Sequence, residues 1–184
     1  RPGLLTALVA PAPATSAALA RRLARVSDED GALIGGRDLR TFPLDVVRHN
    51  ILLAEDDAQL FRGTLHAGLR GAQATRPPRR GVTEMVYREH LEAAARKEGT
   101  LFRPDRVPND PRLDLAMSVA DAGDVLDSLP GGMAGWLSER GRNLSGGQRQ
   151  RVALARAIYA DVPVLIALEP TSAVDSHTEE RICE

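Results

Sequence analysis

The chain is almost without lysine: of its 24 basic residues only Lys97 is one. Lys97 sits in a charged helical stretch far from any glycine-rich loop, so no lysine ammonium is placed to reach a phosphate cradled by backbone amides. Cysteine is nearly absent as well. The single Cys183 excludes an internal disulfide framework, and its place beside the last residue leaves it without a catalytic context. A net charge of −1 supplies no concentrated basic face, which argues against nucleic acid as a partner. The sole basic run, Arg76-Pro77-Pro78-Arg79-Arg80, is broken by prolines and reads as a solvated loop. Nor does any apolar run approach the ~20 residues that cross a bilayer; Leu4 to Ala24 is interrupted by Pro11, Pro13, Arg21 and Arg22.

What is present suits one domain with subdomains and a real core: 184 residues, 43% hydrophobic and 27% charged. Gly3 to Val9 reads as a buried strand. Ala10 to Thr15 is a proline-punctuated turn, taken as non-helical, and Ser16 to Val26 reads as a helix with Leu19 and Leu23 on one face. A short strand, Ala32 to Ile34, is followed by the hairpin signal Gly35-Gly36. Another apolar strand spans Ile51 to Ala54. From Arg70 to Arg112 the chain is Pro- and Arg-rich around one amphipathic helix, Thr83 to Glu98, and reads as an insertion, more readily a surface loop than a partner-binding element. Asp114 to Leu129 reads as one helix, ended by Pro130-Gly131-Gly132.

The stretch Leu144-Ser145-Gly146-Gly147-Gln148 places a hydroxyl and small-residue amides at the start of a helix running to Ile158. Ser145 can cap the first turn, the glycines let an anion approach the main chain, and the helix N-terminus favours negative charge. A capped helix start alone would explain Ser-Gly-Gly. Followed by an apolar strand, Val162 to Leu168, and by Glu169-Pro170-Thr171-Ser172-Ala173-Val174-Asp175, the stretch resembles the signature and Walker B region of ATP-binding-cassette (ABC) ATPases. Leu60-Phe61-Arg62-Gly63-Thr64 resembles the start of the helical subdomain of exporter-type members. Trp136-Leu137-Ser138-Glu139-Arg140-Gly141 resembles the segment that touches the membrane domain there, with Ser138 where the family usually has glycine.

That resemblance implies an α/β fold: a P-loop NTPase-like (RecA-like) core with a mainly parallel sheet, a β-hairpin region and an inserted α-helical subdomain. It divides the chain into a first core part (1–64), a helical subdomain with its insertion at about 71–113 and the signature (65–150), and a return to the core (151–184). A family member also has an aromatic adenine-stacking residue upstream and a switch histidine on a later strand. The chain is therefore expected to be a fragment lacking both ends, His177 falling too soon after Glu169, on an exposed helix.

Laid over the phosphate-binding loop of the family, Ala10 and Thr15 replace its two glycines, Ser16 its lysine and Ala17 its magnesium-binding hydroxyl, while Pro13 removes an N–H. One lost charge-assisted contact costs about 1.5–3 kcal/mol, weakening binding roughly 10- to 150-fold. The Walker B strand ends in Leu168, which has no lone pair for a cation, although the carboxylate Glu169 remains, as a vestige or as a structural hydrogen-bond partner. Asp56 stands at the position of the metal-sensing glutamine, with Gln59 nearby but out of register. No metal ligand set is expected in the chain itself.

By contrast Ser145, Gly146, Gly147, Gln148 and Asp175 match the family. In ABC dimers the signature of one chain closes over phosphates held by the other. The resemblance thus implies a degenerate member of an asymmetric exporter at the cytoplasmic face of the plasma membrane. Its partners would be a second ABC nucleotide-binding domain and transmembrane domains, fused or separate, with ATP as cofactor and Mg2+ at the partner's site. Glu139 and Arg140 would couple to the membrane domain. A non-hydrolytic regulatory or scaffolding module and part of a soluble two-cassette protein are the alternatives.

Overall fold

The computed structural model describes residues 5–27, 31–55, 60–71 and 110–183. Asp56, Gln59, Lys97, the basic run at 76–80, the helix read at 83–98 and most of the insertion read at 71–113 lie outside the described residues.

Helix α1 covers Pro13–Leu23, so it begins three residues before the sequence reading placed it. Pro13 occupies the first turn, where the N–H it lacks would have no intrahelical partner and its fixed φ already suits a helix. The hairpin signal is borne out: β1 (Leu33–Ile34) pairs antiparallel with β2 (Arg37–Asp38) across Gly35 and Gly36. Their φ values of 56° and 78° are those that a tight hairpin demands and that glycine adopts without strain. After α2 (Leu44–Asn50), β3 (Ile51–Ala54) runs parallel to β6 (Val164–Ala167), with Ile51 opposite Val164 and Ala54 opposite Ala167. This parallel pair, closed by a crossover of more than a hundred residues, is the core α/β feature.

Between the two strands lies the helical region. Thr64 closes β4 (Gly63–Thr64), and its side chain accepts from Ala67 N to start α3 (Leu65–Arg70). Asp110 likewise accepts from Arg112 N at the start of α4 (Pro111–Val119). The single helix read over 114–129 is two: α4 ends at Val119 and α5 (Gly123–Ser128) follows. Asp121, at φ 48°, turns the chain left-handed between them and pairs with Arg181, and Gly123 opens the second helix. Then β5 (Trp136–Leu137) pairs antiparallel with β4, tying the segment before the signature to the start of α3. Helix α6 (Gly146–Tyr159) packs against α3 and α4, and α7 (Ser176–Cys183) closes the described chain.

One buried cluster joins α3, α4, α5, β5 and α6 around Leu65, Leu69, Val125, Leu137 and Val152; a smaller one joins Ala24, Ala32, Leu39, Val47 and Ile51. Gly3 to Val9 is where the strand reading fails. Residues 5–9 are not a strand, and Leu5 and Val9 are 94% and 97% exposed. An apolar run becomes a buried strand only where a neighbour takes its backbone hydrogen bonds and layers cover its faces. No described residue does either. Among the described residues no helix is long and apolar enough to cross a membrane.

Candidate functional site

The first turn of α6 is built as an anion receptor. Ser145 Oγ accepts from Gln148 N at 3.1 Å, and Gln148 Oε1 accepts from Ser145 N at 3.0 Å, a reciprocal capping box. That exchange satisfies two backbone donors and leaves the N–H groups of Gly146 and Gly147, at the first two helical positions, without intrahelical acceptors. Ser145 Oγ retains its own proton for donation. Ser145 and Gly146 are exposed, and a Cβ on Gly146 would meet only the end of Arg149, 3.9 Å away. The turn is held from outside by Asp124, at the start of α5, which accepts from Gln148 Nε2 at 3.1 Å and from Arg151 Nη2 at 2.6 Å. Arg149 Nη1 donates to Leu144 O at 2.7 Å.

Beneath this turn lies the loop after β6. Glu169 sits at its start with φ 45°, a left-handed conformation that disfavours a residue with a Cβ. Its carbonyl accepts from Gln150 Nε2 at 2.9 Å, and its side chain is exposed. The hydrogen-bonding part of Glu169 is thus its backbone. Leu168, just before it, gives its N–H to Ala54 O at 2.9 Å and presents no ligand atom. Asp175 precedes α7, where it accepts from His177 N, Thr178 N and Thr178 Oγ1 at 2.9 to 3.1 Å. The Thr178 amide and hydroxyl hold its carboxyl below the ordinary value of 3.8. His177 lies on α7 and is exposed, as the sequence reading had it.

Thr15, Ser16 and Ala17 are the third to fifth residues of α1, with Thr15 N directed at Ala12 O at 3.0 Å. No side chain caps this helix and no acidic residue lies in its first turn. Arg21 Nε, further along α1, donates to Glu55 Oε1 at 2.8 Å. Glu139 and Arg140 are exposed on a 3-10 turn, Arg140 at φ 58°. This turn is braced by Asn143, whose side chain accepts from Ser138 N and donates to Trp136 O. The structure therefore joins the Ser145 turn to the Glu169 and Asp175 loop, and leaves residues 15–17 on a separate element.

Residues 17–172 match the profile of the family described as ABC transporter. The chain belongs to the ABC transporter family. This ABC domain is 33% identical over 183 residues to the ATP-dependent lipid A-core flippase of Cupriavidus metallidurans, covering 98% of the chain and 26% of that protein. The Escherichia coli protein of the same name is 33% identical over 155 residues, 84% of the chain and 21% of the relative. Among solved structures it is similar to a bacterial Atm1-family ABC exporter with ATP bound, with TM-score 0.64, 27% identity, and coverage of 91% of this chain and 24% of that one. The chain spans about a quarter of the length of the curated relatives it matches. The expected α/β, P-loop NTPase-like fold of exporter type is borne out.

The ligand implied by the family tests the two elements differently. Ser16, Ala17 and Leu168 offer neither an ammonium for a phosphate nor a carboxylate for its magnesium. Among the described residues no group of three His, Cys, Asp or Glu could hold a metal ion. The Ser145 turn, with two free amides and a hydroxyl proton, does fit an anionic phosphate.

The sequence reading missed Gln150, Arg151 and Asp124. A signal for the first existed: Gln150 shares a helix face with Ala153 and Ala157, so a polar side chain falls in an otherwise apolar register. Asp124 has no such signal, since only the packing of α5 brings it to Gln148.

Proposed function

We propose that this ABC domain is the degenerate member of an asymmetric exporter pair, its signature completing the ATP site of a partner. The observation that carries the reading is the contrast between a capped, exposed Ser145 turn and a first turn of α1 without ammonium or magnesium ligand. ATP and Mg2+ bound to the partner domain supply the phosphoryl group that water attacks. This chain contributes the Ser145 hydroxyl and the Gly146 and Gly147 amides, aimed at the charge that builds on the γ-phosphate oxygens. Gln148 keeps the hydroxyl in place through the capping box. Asp175, at the head of α7, faces the same interface and reports its closure. No step is assigned to residues 15–17, and Glu169 acts through its backbone.

The division into core (1–64 and 151–184) and helical subdomain (65–150) belongs to the same reading, as do transmembrane domains, fused or separate, met by Glu139 and Arg140 at the cytoplasmic face of the plasma membrane. Dimer closure would move those domains between orientations. The lipid A-core flippases it resembles make a lipid-like cargo the first substrate class to assay. The test is ATP turnover by the assembled pair. Ser145→Arg is expected to lower it on the order of a hundredfold, the scale for losing one transition-state donor. An unchanged rate overturns the reading and leaves the scaffolding module.

A further inference from the structure

We infer that Gln150 is the positioning residue that makes the Ser145 turn and the loop from Glu169 to Asp175 a single presenting surface. The inference rests on the reading above and adds to it a residue that touches no ligand. Gln150 is 7% exposed, in the second turn of α6. A buried amide is tolerated only when hydrogen-bonded, and this one has three partners within five residues of one loop. Nε2 donates to Glu169 O and to Ser172 Oγ, each at 2.9 Å, while Oε1 accepts from Ala173 N at 2.8 Å. Both of its donors and one acceptor position are therefore used on that loop.

A second contact grips the same loop from the other side. A Cβ on Gly147 would stand 2.8 Å from Ala173 O and 3.5 Å from Val174 Cγ1, an approach that only glycine permits. Ala173 is thus held by its N–H from Gln150 and by its carbonyl against Gly147. The bond to Glu169 O also secures a backbone at φ 45° that the chain would otherwise leave. A side chain serving packing alone would require none of these donors. The arrangement instead fixes the distance between Ser145, at the head of the helix, and Asp175, at the end of the loop, so that both meet a partner together or not at all.

Hydrogen exchange on the 184-residue chain reads the clamp without any partner. Gln150→Met keeps length and burial and removes all three bonds. It is expected to speed exchange at Ala173 on the order of tenfold, the loss of one buried hydrogen bond, while the amides from Val152 to Ile158 keep their protection. Should that variant not fold, Gln150→Glu retains the acceptor for Ala173 and sets a second acceptor against Glu169 O. Ala173 then stays protected and Ser172 N, which donates to Glu169 O at 3.2 Å, exchanges faster. Unchanged exchange at both amides overturns the clamp.

In the assembled pair with MgATP, Ser145→Ala and Asp175→Ala are expected to be non-additive in turnover with Gln150 present and additive in the Gln150→Met background. The same departure from additivity in both backgrounds overturns the positioning role. If Ser145→Ala leaves turnover untouched, the donated signature fails, while hydrogen exchange still decides the clamp.

Discussion

The half of the molecule around α6 and the half around α1 carry the same kind of element, a helix N-terminus suited to an anion, and finish it oppositely. Helix α6 begins with a reciprocal cap, two free amides and a carboxylate brace from Asp124, above the larger buried cluster, which includes Leu144 and Val152. Helix α1 begins at a proline, with no cap, its first three residues exposed, and meets the smaller buried cluster only at its far end, through Leu23 and Ala24. The Ser145 turn is thus seated between Leu144 and Val152 of a buried cluster that holds its geometry, while the first turn of α1 adds no residue to either cluster. Precision at a site is supplied by what lies under it, and here it lies under the Ser145 turn.

The contrast breaks most sharply in the two cores. Leu137 is fully buried between β4 and α3, and Leu137→Ala is expected to cost about 2–5 kcal/mol in denaturant unfolding, the range for truncating a core leucine. Val47→Ala, in the small cluster, removes one carbon fewer and should cost less. Equal losses would mean that the two halves unfold as equals.

Next in size is a glycine pair. Gly147→Ala should destabilise by about 1–3 kcal/mol, since its Cβ meets the Ala173 carbonyl at 2.8 Å. Gly146→Ala, whose Cβ meets only the flexible end of Arg149 at 3.9 Å, should raise or hold the melting temperature because alanine is the better helix former. A melting temperature lowered equally by both would remove the close approach on which the loop argument stands.

The weak half can also be rebuilt. Restoring the family's pattern with Ser16→Lys and Ala17→Ser is expected to tighten a fluorescent ATP analogue roughly 10- to 150-fold in equilibrium titration. If the unaltered chain already binds it as tightly as the rebuilt one, the asymmetry between the halves disappears.

The smallest effect is electrostatic. Because its folded carboxyl is held below 3.8, Asp175 contributes stability that is present above that pH and lost as pH falls through the folded value. Asp175→Asn keeps an acceptor for the amides of α7 and should flatten the stability profile below pH 4, read by circular dichroism. A slope unchanged by the substitution would assign acid sensitivity elsewhere.

Local chemistry made much of this legible. The Ser145 cap follows from a hydroxyl three residues before Gln148, and the β1–β2 hairpin from Gly35-Gly36. Both strands of the parallel pair show as short apolar runs. Pro13 misled because proline stops a helix in its interior and starts one at its first turn, and only the fold says which applies. The break between α4 and α5 was hidden because Asp121 takes its left-handed turn beside Arg181, 60 residues away in sequence. Residues 5–9 misled for the converse reason: apolar composition was read as burial without a partner strand.

The amino-acid order alone determined which groups can meet an anion: a hydroxyl and two glycine amides at 145–147, and neither ammonium nor magnesium ligand at 16, 17 and 168. Tertiary structure alone decided what those groups stand on. Asp124 reaches Gln148, and Gln150 reaches Glu169, Ser172 and Ala173, only because helices and loops far apart in the chain are packed together. Donor and acceptor types are written residue by residue, whereas the distances that turn them into a surface come from the burial of a shared core.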